Sequence, residues 1–281
     1  MIISDTHRFA FVHIPKCAGT SVRSVLEPFD ESGASMAVGL PPHPERAFTF
    51  AVGDEHDYRD FHHLTLRCLR DRFPREFGKL RDYRCYAILR EPHERLVSSV
   101  AQRLKQFHRV AVGDLSATAL EDAVSRTLRE IEPLLISGND LPYGYVHFER
   151  QSAFVELDGE TVADRLFTTR TLQRMHGDLQ RYLQRGDMKI APFHETRANT
   201  TKTHRFALLR RFAEGSEGRL KAVKAILPQS AKPVLQRFVY RDRAAGDEGV
   251  RLEDGEVVRD FVRRHYGRDL QIWRHLRSRA A

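Results

Sequence analysis

The chain has 281 residues, with 46 Lys and Arg against 38 Asp and Glu and a formal charge of +8. Hydrophobic residues make up 41% and charged residues 30%, which excludes a disordered chain. No apolar run approaches the roughly 18–20 residues that a spanning helix needs, so no membrane span is expected. Only eight of the basic residues are Lys, and the Arg residues are spread along the whole chain. No basic run is interleaved with stacking aromatics, so the charge points to small anions or acidic glycans and not to nucleic acid. Cys17, Cys68 and Cys85 form neither a disulfide framework nor a zinc spacing, and the first residues lack the pattern of a signal peptide. A protein of a reducing compartment is expected.

Residues 8–14 (Arg-Phe-Ala-Phe-Val-His-Ile) predict a buried strand stopped by Pro15, and 19–27 a helix opening at Gly19-Thr20-Ser21. Residues 28–56 are rich in Pro and Gly and predict a long irregular excursion with a short strand at 47–52. A helix is predicted over 61–71, with His62 and His63 near its start. Residues 84–90 read as a second buried strand. Pro92 then opens a helix with Leu96, Val97, Val100 and Leu104 on one face. Ser116 is placed to cap a helix over 117–131, 136–145 is a loop, and a strand at 165–169 leads into a helix at 170–185. The tail reads as helical segments broken by Gly and Pro, with helices at 255–266 and 268–277. The alternation predicts an α/β fold of three layers, a central mainly parallel sheet flanked by helices. One domain is expected over 1–281, with 28–60 as an irregular insertion and 204–281 as a helical tail packed on it.

Two strand–loop–helix junctions carry chemistry. In the first, Phe11 to Ser21, a buried strand ends, Lys16 sits in a tight loop, and Gly19, Thr20 and Ser21 open a helix. Outward amides at a helix start, a glycine, two hydroxyls and one ammonium make a phosphate cradle. Lys16 precedes Gly19, so the loop is P-loop-like without being a Walker A sequence. The bland alternative is an ordinary strand-to-helix turn. In the second junction, Tyr86 to Ser98, Arg90 stands at the C-terminal edge of a buried strand, where open α/β sheets bind ligands. A bidentate grip on phosphate by Arg90 and a hydroxyl from Ser98 form one reading. The other has Arg90 paired with Glu94 and Arg95 as a solvated helix charge.

Together these residues resemble the sulfotransferases that use 3′-phosphoadenosine 5′-phosphosulfate (PAPS). The branch that looks most similar is that of the carbohydrate, uronyl 2-O-type enzymes and their bacterial relatives. Phe11-Val-His-Ile-Pro-Lys-Cys-Ala-Gly-Thr-Ser21 is similar to the family's 5′-phosphosulfate loop, and Leu89-Arg-Glu-Pro-His-Glu-Arg-Leu-Val-Ser98 to its 3′-phosphate motif. Phe61-His-His-Leu-Thr65 resembles its H-x-T element, aligned on His63. Arg150-Gln151-Ser152 falls where relatives touch the acceptor, Thr168-Thr169-Arg170 where they touch adenine, and the stretch around Asn199 loosely resembles a late loop near the nucleotide. Cys17 stands in place of the family's usual Thr, as a neutral filler or an oxidisable thiol. Glu91 replaces Asp or Asn.

The resemblance implies in-line transfer of a sulfuryl group to an acceptor hydroxyl, expected on a carbohydrate or glycan, with adenosine 3′,5′-bisphosphate (PAP) as product and no metal. Lys16 is expected to neutralise the leaving oxygen, and His63 to take the acceptor proton. Pro15, Lys16, Cys17, Ala18, Gly19, Thr20 and Ser21 are expected around the 5′ end of the donor. Arg90, Ser98, Thr169, Arg170 and Asn199 are expected around the rest, with His63 and Gln151 on the acceptor. Eukaryotic relatives carry an N-terminal membrane anchor and this chain begins almost at its first strand, which suggests a bacterial, cytoplasmic enzyme; a homo-oligomer is left open. The alternatives are a P-loop-like kinase dependent on ATP and magnesium, and a non-catalytic nucleotide-binding relative.

Overall fold

The computed structural model describes residues 1–32, 60–183, 189–193 and 255–279 in full, and the backbone of short strands at 42–43, 46–51, 58–59, 203–204 and 240–241. The core sheet contains β1 (Ile2–Ser4), β2 (Phe9–Val12), β6 (Arg84–Leu89) and β9 (Arg165–Thr168) in the order β1-β2-β6-β9. β2, β6 and β9 run parallel, and β1 is an antiparallel edge. Every residue of β2 is buried, as the unbroken apolar sequence requires of a strand covered on both faces. The register sets Val12 beside Ala87 and Leu89 beside Thr168. The chain therefore leaves β2, β6 and β9 at one common edge, the edge at which such sheets bind ligands.

Helix α1 (Gly19–Leu26) follows β2. The expected irregular excursion holds an antiparallel sheet of β3 (Pro42–His43), β4 (Arg46–Ala51) and β5 (Tyr58–Asp60). Its middle strand covers the short strand predicted at 47–52. β5 leads directly into a 3-10 turn at Phe61–His63. The helix predicted over 61–71 is thus two elements. The Asp60 carboxylate caps the turn by accepting from the His62 amide at 2.8 Å, and the chain then extends through Leu64. Thr65 starts α2 (Leu66–Arg72) afresh, its hydroxyl accepting from the Cys68 amide at 3.1 Å. α3 (Pro74–Asp82) packs on β2 and β6.

After β6, Glu91 caps α4 (Pro92–Phe107) through its carboxylate and the Glu94 amide, 2.8 Å apart. Ser116 caps α5 (Ala117–Ile136), which runs past the predicted end at 131 with Pro133 in its last turn. A 3-10 helix at Tyr143–Phe148 occupies the predicted loop, the two-residue strands β7 (Glu156–Leu157) and β8 (Glu160–Thr161) form a separate hairpin, and α6 (Leu172–Leu183) follows β9. In the tail, α7 (Glu256–His265) and α8 (Gly267–Ser278) match the predicted helices. Phe261, Val262 and Tyr266 join Leu96, Val100, Val124 and Ile131 in a second apolar cluster beside the one under the sheet. Among the described residues no helix is long and apolar enough to cross a membrane.

Candidate active site

The first junction is strained where it would meet an anion. Lys16 (φ 64°) and Ala18 (φ 61°) both adopt the left-handed region, unusual for side chains with a Cβ. Such alternation turns successive amides to one side and forms an anion-binding concavity. Residues 15–18 form a tight turn, and at its end Ser21 N bonds Ala18 O at 3.2 Å. α1 has no side-chain cap, so its open donors face the loop. Thr20 is exposed and Ser21 half-buried, and neither hydroxyl is engaged within the described residues. Gly19 has a second reason to be glycine. A Cβ there would lie 1.9 Å from Cδ2 and Nε2 of His13. The His13 ring packs against the loop from inside, its Nδ1 buried with no hydrogen-bond partner among the described residues.

Gln151 ties this loop to the second junction. Its Oε1 accepts from Arg90 N at 2.9 Å and from the Cys17 thiol at 3.2 Å, while its Nε2 donates to Arg90 O at 3.0 Å. The Gln151 amide N in turn donates to the buried Asp269 carboxylate at 2.8 Å. A fully buried carboxamide used in this way holds two loops in register. The expected contact of Gln151 with an acceptor is not what the structure places there. Cys17 is likewise buried, and burial pushes its thiol up to about 11 despite the nearby Arg95 and Arg90. Desolvation outweighs the helix start, and Cys17 fills space as a neutral group.

His63 meets the first junction through the backbone. Its Nδ1 lies 3.0 Å from the carbonyl of His13, three residues before Lys16. A carbonyl only accepts, so Nδ1 carries the proton and Nε2 keeps its lone pair. Burial lowers the imidazole to about 4, against an opposing pull from Asp60 and the His13 carbonyl. His63 is therefore neutral at pH 7. Burial pushes Asp60 up, but hydrogen bonds from His62 and the proximity of His63 hold it at about 2. Asp60 stays ionised and fixes the turn. Lys16 extends from its loop to Gln102 on α4, Nζ to Oε1 3.3 Å. Burial, then Arg90 and Lys105, lower its ammonium below the ordinary range. An anion beside Lys16 relieves that cost.

At the second junction Arg90 and Arg170 leave adjacent strand ends, β6 and β9. The guanidinium of Arg90 is 3.3 Å from one oxygen of Glu94, and that of Arg170 3.4 Å from the other. Arg90 thus realises its pairing with Glu94. Ser98, one turn on, is half-buried, and its hydroxyl makes no hydrogen bond among the described residues. Thr169 N bonds Leu89 O at 3.0 Å and brings Arg170 to the same edge. Asn199 lies outside the described residues.

Residues 1–128 match a model of the sulfotransferase family. The match spans both junctions and His63, and ends within α5. Gln151, Thr169, Arg170 and the tail lie beyond it. Neither a curated protein nor a solved structure matches the chain.

The sequence motifs leave the role of Arg95 open and do not point to Ser99 or His147. Arg95 is not a solvated helix charge. It is 2% exposed and donates to the carbonyl of His147 at 3.2 Å and to that of Glu149. Ser99 donates to the same His147 carbonyl at 2.7 Å. These grips fix the 3-10 helix that presents His147, whose ring stands edge-on to His63 with centroids 5.9 Å apart. Burial, then His63 and Lys16, lower His147 to about 3, so it too is neutral. No sequence motif marks His147; only the spacing of Arg95 and Ser99 along α4, one turn apart, hints at a buried polar stripe. Arg103 is also buried on that stripe, held by Gly144 O, Glu130 and Tyr145. Among the described residues no cluster of His, Cys, Asp or Glu is built to hold a metal.

Proposed function

We propose that this chain is a PAPS-dependent sulfotransferase acting on a hydroxyl-bearing acceptor, most consistently a carbohydrate of the class its sequence motifs resemble. The observation that carries the reading is the pairing of His63 with the His13 carbonyl. It supports a neutral imidazole that keeps its Nε2 lone pair beside the strand leading into the Lys16 loop. The residues fit the donor on their own terms. The left-handed residues Lys16 and Ala18 turn successive amides toward one side, as a seat for the 5′-phosphate requires. The carboxylate of Glu94 between two guanidiniums marks an anion seat at the strand edge, suited to the 3′-phosphate.

When bound, PAPS supplies an activated sulfuryl group. The acceptor oxygen attacks sulfur as the bond from sulfur to the bridging oxygen breaks. His63 Nε2 takes the hydroxyl proton, and the His13 carbonyl stabilises the imidazolium through Nδ1–H. Lys16 neutralises the charge that gathers on the bridging oxygen. The residues around the loop, Pro15 to Ser21, with Arg90, Ser98, Thr169 and Arg170, hold the nucleotide. Gln151 keeps the two loops at a fixed separation, which in-line geometry requires.

Calorimetry of the full chain with PAP, AMP and ATP with magnesium tests the reading. A preference of about 10–100-fold for PAP over AMP is expected from charge-assisted contacts to one extra phosphate. His63→Ala leaves PAP affinity unchanged and lowers sulfuryl turnover by about 10²–10⁴-fold. Equal or tighter binding of ATP with magnesium would favour the kinase-like alternative, and PAP binding without transfer to any of a panel of glycans the non-catalytic one.

A further inference from the structure

Glu94 stands out among the acidic residues of the site because it puts a negative charge where a bound nucleotide would bring its own. Its two oxygens face two guanidiniums that come from different parts of the chain, Arg90 at the end of β6 and Arg170 just past β9. The parallel register makes these strand ends neighbours, since Leu89 pairs with Thr168. Glu94 also sits in the first turn of α4, where a negative charge is favoured by the helix. Two guanidiniums and a helix start form an anion seat, and the protein's own carboxylate fills it. A carboxylate carries one negative charge and a phosphate monoester nearly two, so an incoming phosphate would compete for the same donors with the stronger charge.

We propose that Glu94 is a built-in stand-in for the 3′-phosphate of the nucleotide. It holds Arg90 and Arg170 at the strand edge in the free enzyme, yields them to the donor, and reclaims them when PAP leaves. This rests on the proposed function and adds to it a residue that sets nucleotide affinity and speeds product release. Glu94 is a specificity-tuning residue and not a catalytic one. Its side chain and that of Arg90 are each about one-third exposed (33% and 31%), and Arg170 is 69% exposed. Both pairs are thus weak enough for a dianion to displace. A competing internal ligand scales the apparent affinity down to the fraction of time it leaves the seat free.

The test is calorimetry of the full chain with PAP and with AMP on the wild type, Glu94→Gln and Glu94→Ala. Both substitutions remove the charge from a half-exposed side chain, and thermal melting establishes that each variant is folded. Tighter PAP binding by about three- to ten-fold in both variants, with AMP affinity unchanged, is expected. The split between the two nucleotides separates a stand-in from a residue that merely shapes the helix, which would move both. Unchanged or weaker PAP binding in the variants would overturn the proposal, since Glu94 would then be organising the arginines and not competing for them. A wild type that binds PAP no better than AMP would instead count against the sulfotransferase reading itself.

Discussion

Replacing Arg95 by Met tests whether this motif arginine is a structural clamp. The substitution keeps an unbranched side chain and removes the guanidinium. Arg95 is 2% exposed, donates to the carbonyls of His147 and Glu149, and lies 5.7 Å from the Tyr266 ring centroid. Hydrogen bonds from a charged donor contribute about 1.5–3 kcal/mol each, so two suggest about 3–6 kcal/mol. Two effects bring this down. The His147 carbonyl keeps its bond from Ser99 at 2.7 Å, so only the Glu149 carbonyl is orphaned. Taking a charge out of the interior also recovers desolvation. A loss of about 3 kcal/mol is expected, a large part of the ~5–15 kcal/mol typical of a domain. Urea unfolding reads it as a fall in midpoint at unchanged slope. Adding Ser99→Ala orphans the second carbonyl as well and costs more than the sum of the single changes. A loss below about 1 kcal/mol would refute the argument and return Arg95 to the solvated role that the sequence allows.

Gly19→Ala puts a Cβ 1.9 Å from the His13 ring, so the loop or the ring must move. Overpacking of this kind costs about 1–3 kcal/mol, with PAP affinity falling alongside. The double variant Gly19→Ala/His13→Ala recovers much of both, and no recovery would mean that His13 is not the obstacle. Acid stability follows from the imidazoles. His63 and His147 titrate near 4 and 3 in the folded protein, whereas unfolded imidazoles titrate near 6.5. Below 6.5 the unfolded chain binds more protons, so their contribution is full above that pH and is lost as pH falls toward 3–4. The urea midpoint is expected to drop between pH 7 and 4.5 and to drop less in His63→Gln; a flat profile would refute the burial argument.

Much of the scaffold was legible in the sequence. Unbroken apolar runs such as Phe9 to Val12 and Cys85 to Leu89 belong to strands covered on both faces, and Ser116 and Pro92 mark helix starts through local backbone chemistry. Lys16, Gly19 and Arg90 stand out because spacing at a strand end restricts what a short loop can do, and His63 only because Phe61 to Thr65 resembles the family's H-x-T element. The break between His63 and α2 was not foreseen. There a capping contest decided the path, with Asp60 and Thr65 each bonding a nearby amide more favourably than one continuous helix would.

The residues that join the site across the chain were not legible at all. Gln151 was read as an acceptor contact, yet its carboxamide is used on Cys17 and Arg90, more than 60 residues away in sequence. For Arg95 a solvated charge is one of two open readings, because helical spacing alone does not say which polar group will find a buried carbonyl. Cys17 offered two chemistries, and burial chose the inert one. The sequence by itself determined the strands, the helix starts and the residue types at the two loops, because those depend on local periodicity and backbone preference. The tertiary structure alone decided His63's free nitrogen, the His147 neighbour, and the Glu94 seat between Arg90 and Arg170. Each depends on which carbonyl or carboxylate the fold brings within hydrogen-bond distance, and that is set by register and burial acting across the whole chain.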